Sequence, residues 1–100
     1  MKLQVHSVHF DADQKLIDFI QKKVDKLETF YDRVVDGEVF LRLNNEGNEN
    51  KTVEIKLNVP GQNLFAKEQA ASFEAATDLA TEALRSQLEK FKAKLRAVRV

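Results

Sequence analysis

The sequence predicts an α+β domain of order β-α-β-β-β-α, a four-stranded mixed sheet with two helices packed on one face. Two stretches carry apolar residues at three- and four-residue steps, and the others alternate apolar with polar side chains. The segments between them are polar or turn-forming. One hundred residues, 43% of them apolar, suffice for one core and a single domain over residues 1–100.

In MKLQVHSVHF, Leu3 and Val5 share one parity and Val8 and Phe10 the other, which predicts a first strand bulged near Ser7. The same alternation is that of a strand, not of a signal peptide. Asp13 is the expected N-cap of the next element, with Asp11 adding negative charge near the positive end of the helix dipole. Leu16, Phe19, Ile20, Val24, Leu27, Phe30 and Tyr31 then define an amphipathic helix of about five turns. Lys22, Lys23 and Lys26 lie off its apolar stripe, where Asp18, Asp25 and Glu28 are expected to neutralise them in part.

Val39, Leu41 and Leu43 alternate with Glu38, Phe40 and Arg42, and Val53, Ile55, Leu57 and Val59 with Glu54, Lys56 and Asn58. The polar, glycine-bearing run from Asn44 to Asn50 between them is a hairpin loop. Pro60-Gly61 predicts a type II turn, because proline presets φ and glycine accepts a positive one. A short fourth strand, Gln62 to Gln69, should bury Leu64 and Ala66 and expose Phe65 and Lys67. The last helix begins near Ser72, its cap, and Phe73, Ala76, Ala80, Leu84, Leu88, Phe91 and Leu95 mark its buried stripe. The strand that returns through a helix should lie parallel to its neighbour, and the hairpin-linked strands antiparallel.

Catalytic chemistry finds little material here. There is no cysteine, which excludes disulfides and thiolates. His6 and His9, three apart on a strand, point to opposite faces, and neither a third histidine nor an HExxH spacing completes a metal site. The three glycines are scattered through turns, so no loop cradles a phosphate. Asp11 and Asp13 are explained by capping. Neither an enzyme, a cofactor nor a small-molecule substrate is expected. No run of about 18 apolar residues is present to cross a bilayer, so the expectation is a soluble cytoplasmic domain without a membrane partner.

Charge is more informative. Sixteen Lys and Arg balance sixteen Asp and Glu, yet Arg85 to Val100 carries six cations and one acid. With Leu88 at the centre of the buried stripe and about 100° per residue, Arg85, Lys92, Arg96 and Arg99 share one flank. Lys90 and Lys94 occupy the far side. Cations near a helix C-terminus complement its dipole, but that effect fades within a turn, and a run this long also suits phosphate. On the open sheet face, Phe40 and Phe65 lie among Arg42, Lys56 and Lys67. Such a face is compatible with base stacking, with cross-strand packing, or with self-association into a weak homodimer.

Two strings carry a resemblance. LIDFIQKKVDKLETFYDRV, Leu16 to Val34, presents Leu16, Phe19, Ile20, Lys23, Lys26, Leu27, Phe30, Tyr31 and Asp32 in a Leu-x-x-Phe/Tyr-Ile/Val…Lys-x-x-Lys-Leu-x-x-Tyr/Phe-Phe pattern. AATDLATEALRSQLEKFKAKL, Ala75 to Leu95, opens Ala-rich with Asp78 and closes on Gln87, Leu88, Lys90, Lys92 and Lys94. Together with the element order, the chain resembles the ribosome hibernation promoting factor family, which includes the ribosome-associated translation inhibitor and sigma 54 modulation proteins. Glu74, Ala83 and Ser86 depart from the family pattern, which commonly has Tyr at the first position and basic residues at the others.

The resemblance implies a fold similar to a double-stranded-RNA-binding domain and a short form lacking the additional C-terminal domain of long members. It implies a cytoplasmic factor seated in the decoding channel of the small ribosomal subunit against 16S-type rRNA. There it would inhibit translation and promote hibernation in stationary phase or stress. Lys23, Lys26, Lys90, Lys92 and Lys94 carry over as RNA contacts, and Lys22, Arg85 and Arg96 extend the same cationic flanks.

Overall fold

A computed structural model describes residues 1–44 and 47–98, with side chains as far as residue 96. Asn45 and Glu46 of the expected hairpin loop and Arg99 of the expected basic flank lie outside the described residues. The elements are β1 (Lys2–Val8), α1 (Gln14–Asp25), β2 (Asp36–Leu43), β3 (Lys51–Val59), β4 (Gln62–Ala70) and α2 (Phe73–Val98), in the predicted order. The strands lie side by side in chain order, β1 parallel to β2 and the other pairs antiparallel.

This connectivity aligns the helices. β1 and β4 run the same way, and each hands the chain to a helix that folds back over the sheet, so α1 and α2 run in the same direction. Contacts follow that alignment from end to end. Phe10 stacks on Phe73 at 5.1 Å, Lys23 meets Asp78 at 3.0 Å, and Tyr31 sits edge-on to Phe91 at 5.4 Å.

The predicted caps and turns are in place. Asp13 Oδ1 accepts from Leu16 N at 2.8 Å, Ser72 Oγ accepts from Ala75 N at 3.1 Å, and Gly61 has φ +89°. One layer of core joins sheet to helices. Val39, Leu41, Val53, Ile55 and Leu57 meet Ile20 and Val24 of α1 and Ala76, Ala80, Leu84 and Leu88 of α2, all fully buried. Thr77 and Thr81 are also buried, and their hydroxyls donate to the Phe73 and Thr77 carbonyls at 2.7 and 2.9 Å.

Several elements differ from expectation. The β1–β2 ladder is unbroken from Lys2↔Asp36 to Val8↔Arg42, so there is no bulge near Ser7. Parity changes because the chain leaves the sheet: His9 adopts φ +67°, and Phe10 turns toward Phe73. The first helix stops being α-helical at Asp25 and ends in a 3-10 turn, Lys26–Thr29. There the Phe30 and Tyr31 amides both donate to the Leu27 carbonyl, and Thr29 Oγ1 donates to that of Lys26. The two aromatics thus leave the helix and face α2. β4 is nine residues, as long as β3, because Ala70 still pairs with Lys51.

Leu95 does not continue the buried stripe and is 42% exposed. A helix of 26 residues is about 39 Å long, and it outruns a sheet whose last strand begins at Gln62, beside Phe91 and Lys94. The molecule is accordingly elongated, 50 × 24 × 18 Å. Where α2 still lies against β4, Gln87 closes that edge: its amide donates to the Phe65 carbonyl at 2.8 Å and accepts from the Phe65 amide at 3.3 Å.

The amino group of Met1 is held by Asp25 at 3.1 Å and by Glu28. The hydrogen bonds it donates to Glu28 and Asp25 raise its pKa above the ordinary 8.0. A group whose pKa is raised on folding stabilises the fold fully below its unfolded value and loses that contribution as pH rises through the folded one. The urea midpoint of this chain is therefore expected to fall above about pH 8, and Glu28→Gln should flatten the decline. An unchanged pH profile in that variant would assign the decline to other groups.

Candidate nucleic-acid interface

The cations expected to act together fall into two sets. Lys23, Lys26 and Arg85 line a groove of about 350 Å³ between the end of α1 and the middle of α2, with Leu27, Phe30 and Thr81. Two of the three are already engaged. Lys23 pairs with Asp78 and lies 5.5 Å from the Phe19 ring centroid. Arg85 lies 4.6 Å over the Phe30 ring, with its Nε 3.5 Å from Glu89. Lys22, about 200° around the helix from Ile20, is exposed on the outer face of α1, away from this groove.

The carboxylates expected to neutralise the α1 lysines are occupied elsewhere. Asp18 accepts from Gln14 at 2.9 Å, Asp25 from Gln21 at 2.8 Å and from Met1, and Glu28 also holds Met1. Among the described residues, no carboxylate lies within 4.0 Å of Lys22, Lys26, Lys90, Lys92, Lys94 or Arg96.

The second set surrounds the overhanging end of α2. On one flank, a cavity of about 590 Å³ is lined by Lys92, Lys94 and Arg96, by Phe91 and Leu95, and across from them by Tyr31, Asp32, Arg33 and Gln62. On the other flank, Lys90 and Lys94 border a smaller hollow of about 230 Å³ beside Leu64 of the β4 edge and Gln87 of α2. The end of α2 is thus cationic on both sides, and four cations face one carboxylate around the larger cavity.

Arg33 is the member that sequence reasoning missed. It lies beyond α1, with no helical periodicity to place it. The signal was the topology: β-α-β-β-β-α makes the helices parallel, so whatever follows α1 stands beside the end of α2. Helix dipoles account for only part of the charge distribution: Asp11, Asp13 and Glu74 stand at the two N-termini and Arg96 in the last turn of α2, whereas Lys90 and Lys92 lie more than a turn inside it.

The open sheet face is more balanced. Phe40 and Phe65 are not a cross-strand pair, because β3 lies between them, and their neighbours on it are Glu54 and Lys56. Phe40 is instead stacked by His6 at 4.8 Å and flanked by Arg42 at 5.8 Å, leaving Phe65, 49% exposed, as the open aromatic. Arg42 pairs with Glu54, and His6 with Glu38 at 3.2 Å. His9 stands beyond the strand and does not converge with His6. Among the described residues, no cluster of His, Asp and Glu could hold a metal, and no helix is long and apolar enough to cross a membrane.

Known proteins share both sequence and architecture with this chain. The ribosome hibernation promotion factor of Deinococcus radiodurans is 31% identical over 91 residues, covering 89% of this chain and 48% of that protein. The chain therefore spans about half the length of that relative. The ribosome hibernation promoting factor of Pseudomonas putida is 28% identical over 94 residues, covering 94% of this chain and 89% of that one.

The Thermus thermophilus Protein Y N-terminal domain has a TM-score of 0.81 at 24% identity, over 91% of this chain and 99% of that one. A ribosomal subunit interface protein from Coxiella burnetii gives 0.82 at 22%, over 93% and 99%. These two likenesses establish a common architecture. Residues 3–96 match the family model described as Sigma 54 modulation protein / S30EA ribosomal protein. With a match running over nearly its whole length, the chain belongs to the Sigma 54 modulation protein / S30EA ribosomal protein family.

Proposed function

We propose that this chain is a non-catalytic cytoplasmic factor that binds the small ribosomal subunit near the decoding channel, inhibiting translation and promoting hibernation under stress. The observation that carries the reading is the end of α2, where Lys90, Lys92, Lys94 and Arg96 stand without carboxylate partners among the described residues and Arg33 faces them. A cationic surface left unneutralised in a protein of zero formal charge is matched by an anion outside the molecule. Relatives named for ribosome hibernation and for the subunit interface supply the ribosome as the source of that anion. Phosphate contacts position such a protein without reading sequence, so shape complementarity must select the channel.

Cosedimentation with small subunits tests this. About six phosphate contacts should lower affinity by roughly three orders of magnitude between about 50 and 200 mM salt. Association indifferent to salt, or protein absent from the ribosomal fractions of starved cells on a sucrose gradient, would contradict the proposal.

A further inference from the structure

A helix that merely lies along phosphates needs a flat cationic surface. This end of α2 offers more. Its larger cavity, about 590 Å³, falls within the range of sites that enclose small organic groups. Part of its wall is apolar, with Tyr31, Phe91 and the exposed Leu95 among the cations. The Tyr31 ring is half-buried and held at 85° to Phe91, which fixes its plane beside the opening. An aromatic surface and an aliphatic side chain ringed by Arg33, Lys92 and Arg96 match a ligand with a planar apolar part and an anionic part a few ångströms apart.

We propose that this cavity receives one unstacked nucleotide of a single-stranded RNA segment, the base against Tyr31 and Leu95 and the phosphate among Arg33, Lys92 and Arg96. The proposal rests on the RNA-binding reading above and adds the chemical unit that is held. A base inside a duplex presents only its edge, so the nucleotide must be splayed from a loop or a strand end. Stacking accepts any base, since each has a π-face, so the cavity should grip strongly without reading sequence. A flanking phosphate of the same strand would reach Lys94, which borders both this cavity and the hollow on the other flank.

The test uses the isolated chain and no ribosome. Tyr31 is the only tyrosine and there is no tryptophan, so its ring signals in an NMR spectrum are unambiguous. Adenosine monophosphate should shift the Tyr31 ring and Leu95 methyl resonances saturably. Inorganic phosphate should shift only the signals of α2 around Lys92 and Arg96. A short oligoadenylate should bind roughly tenfold tighter than the mononucleotide, because flanking phosphates add contacts.

Arg96→Glu, at an exposed position that leaves the fold intact, should weaken the mononucleotide by roughly tenfold through loss of a charge-assisted contact. Leu95→Ala, which adds no charge, should weaken the ring shifts while keeping the phosphate response. Equal responses to the mononucleotide and to phosphate would overturn the proposal. Oligoadenylate binding no tighter than the mononucleotide would also overturn it, pointing to a free nucleotide instead of a strand. If the ring stays silent while salt-sensitive cosedimentation persists, the nucleotide site fails and the ribosome reading stands. Ring shifts without cosedimentation would support the site and remove the ribosome.

Discussion

Lys90→Glu, Lys92→Glu and Lys94→Glu combined are expected to abolish cosedimentation with small subunits while leaving the domain folded. None of the three meets a carboxylate among the described residues, so no internal ion pair is lost. Lys90 and Lys94 are exposed, and Lys92 is half-buried by its stem against the cavity wall. On the proposed mode of binding, each replacement would turn a phosphate contact into a repulsion, and each lost contact would lower the salt slope by about 0.9. Acids near a helix C-terminus cost about 0.3–1 kcal/mol apiece, a small part of a domain's stability of about 5–15 kcal/mol. Lys15→Glu, at the start of α1 and far from this end, should cosediment like the parent. A triple variant that pellets as well as the parent would show that the end of α2 is not the contact.

The largest stability effect is expected from Leu84→Ala. Leu84 is fully buried where α2 packs on the sheet, and truncation there both loses transfer energy and leaves a cavity. The expected loss is about 2–5 kcal/mol, which lowers the Tm of a domain this size by about 10–25 °C. Leu95→Ala should cost less than about 0.5 kcal/mol, although both leucines belong to one periodic stripe in the sequence. Thermal unfolding followed by circular dichroism separates the two. Similar losses at both positions would mean that the end of α2 is packed against something the fold does not show.

That pair of leucines also marks how far the sequence could be read. Periodicity reports which side of a helix is apolar, but it carries no information on where the partner surface ends. Leu84 and Leu95 were therefore indistinguishable until the length of β4 was known. Element order, caps and the Pro60-Gly61 turn were legible because each rests on a local rule: Asp13 and Ser72 accept from amides three residues on, and Gly61 takes positive φ.

The apparent bulge at Ser7 misled because a parity change looks the same whether a strand kinks or the chain leaves the sheet. Phe30 and Tyr31 continued the helical spacing, yet a 3-10 turn had already rotated them toward α2. At the candidate site, the lysines were visible as a run, but their freedom was not. Whether a cation is paired depends on carboxylates distant in sequence: Asp78 reaches Lys23, whereas Asp25 and Glu28 are drawn to Met1. Arg33 became visible only once both helices were known to point the same way.

The shared direction of the helices has one more outcome. With Asp11, Asp13 and Glu74 at the helix N-termini, Lys90, Lys92, Lys94 and Arg96 toward the far end of α2 and a formal charge of zero, the body experiences a torque in the field of a polyanion before it experiences much net pull. Dipolar attraction decays faster with distance than attraction of a net charge. Stray nucleic acid should therefore retain this protein poorly, and a molecule that drifts into a strongly charged cleft should arrive already turned with the tip of its longer helix leading.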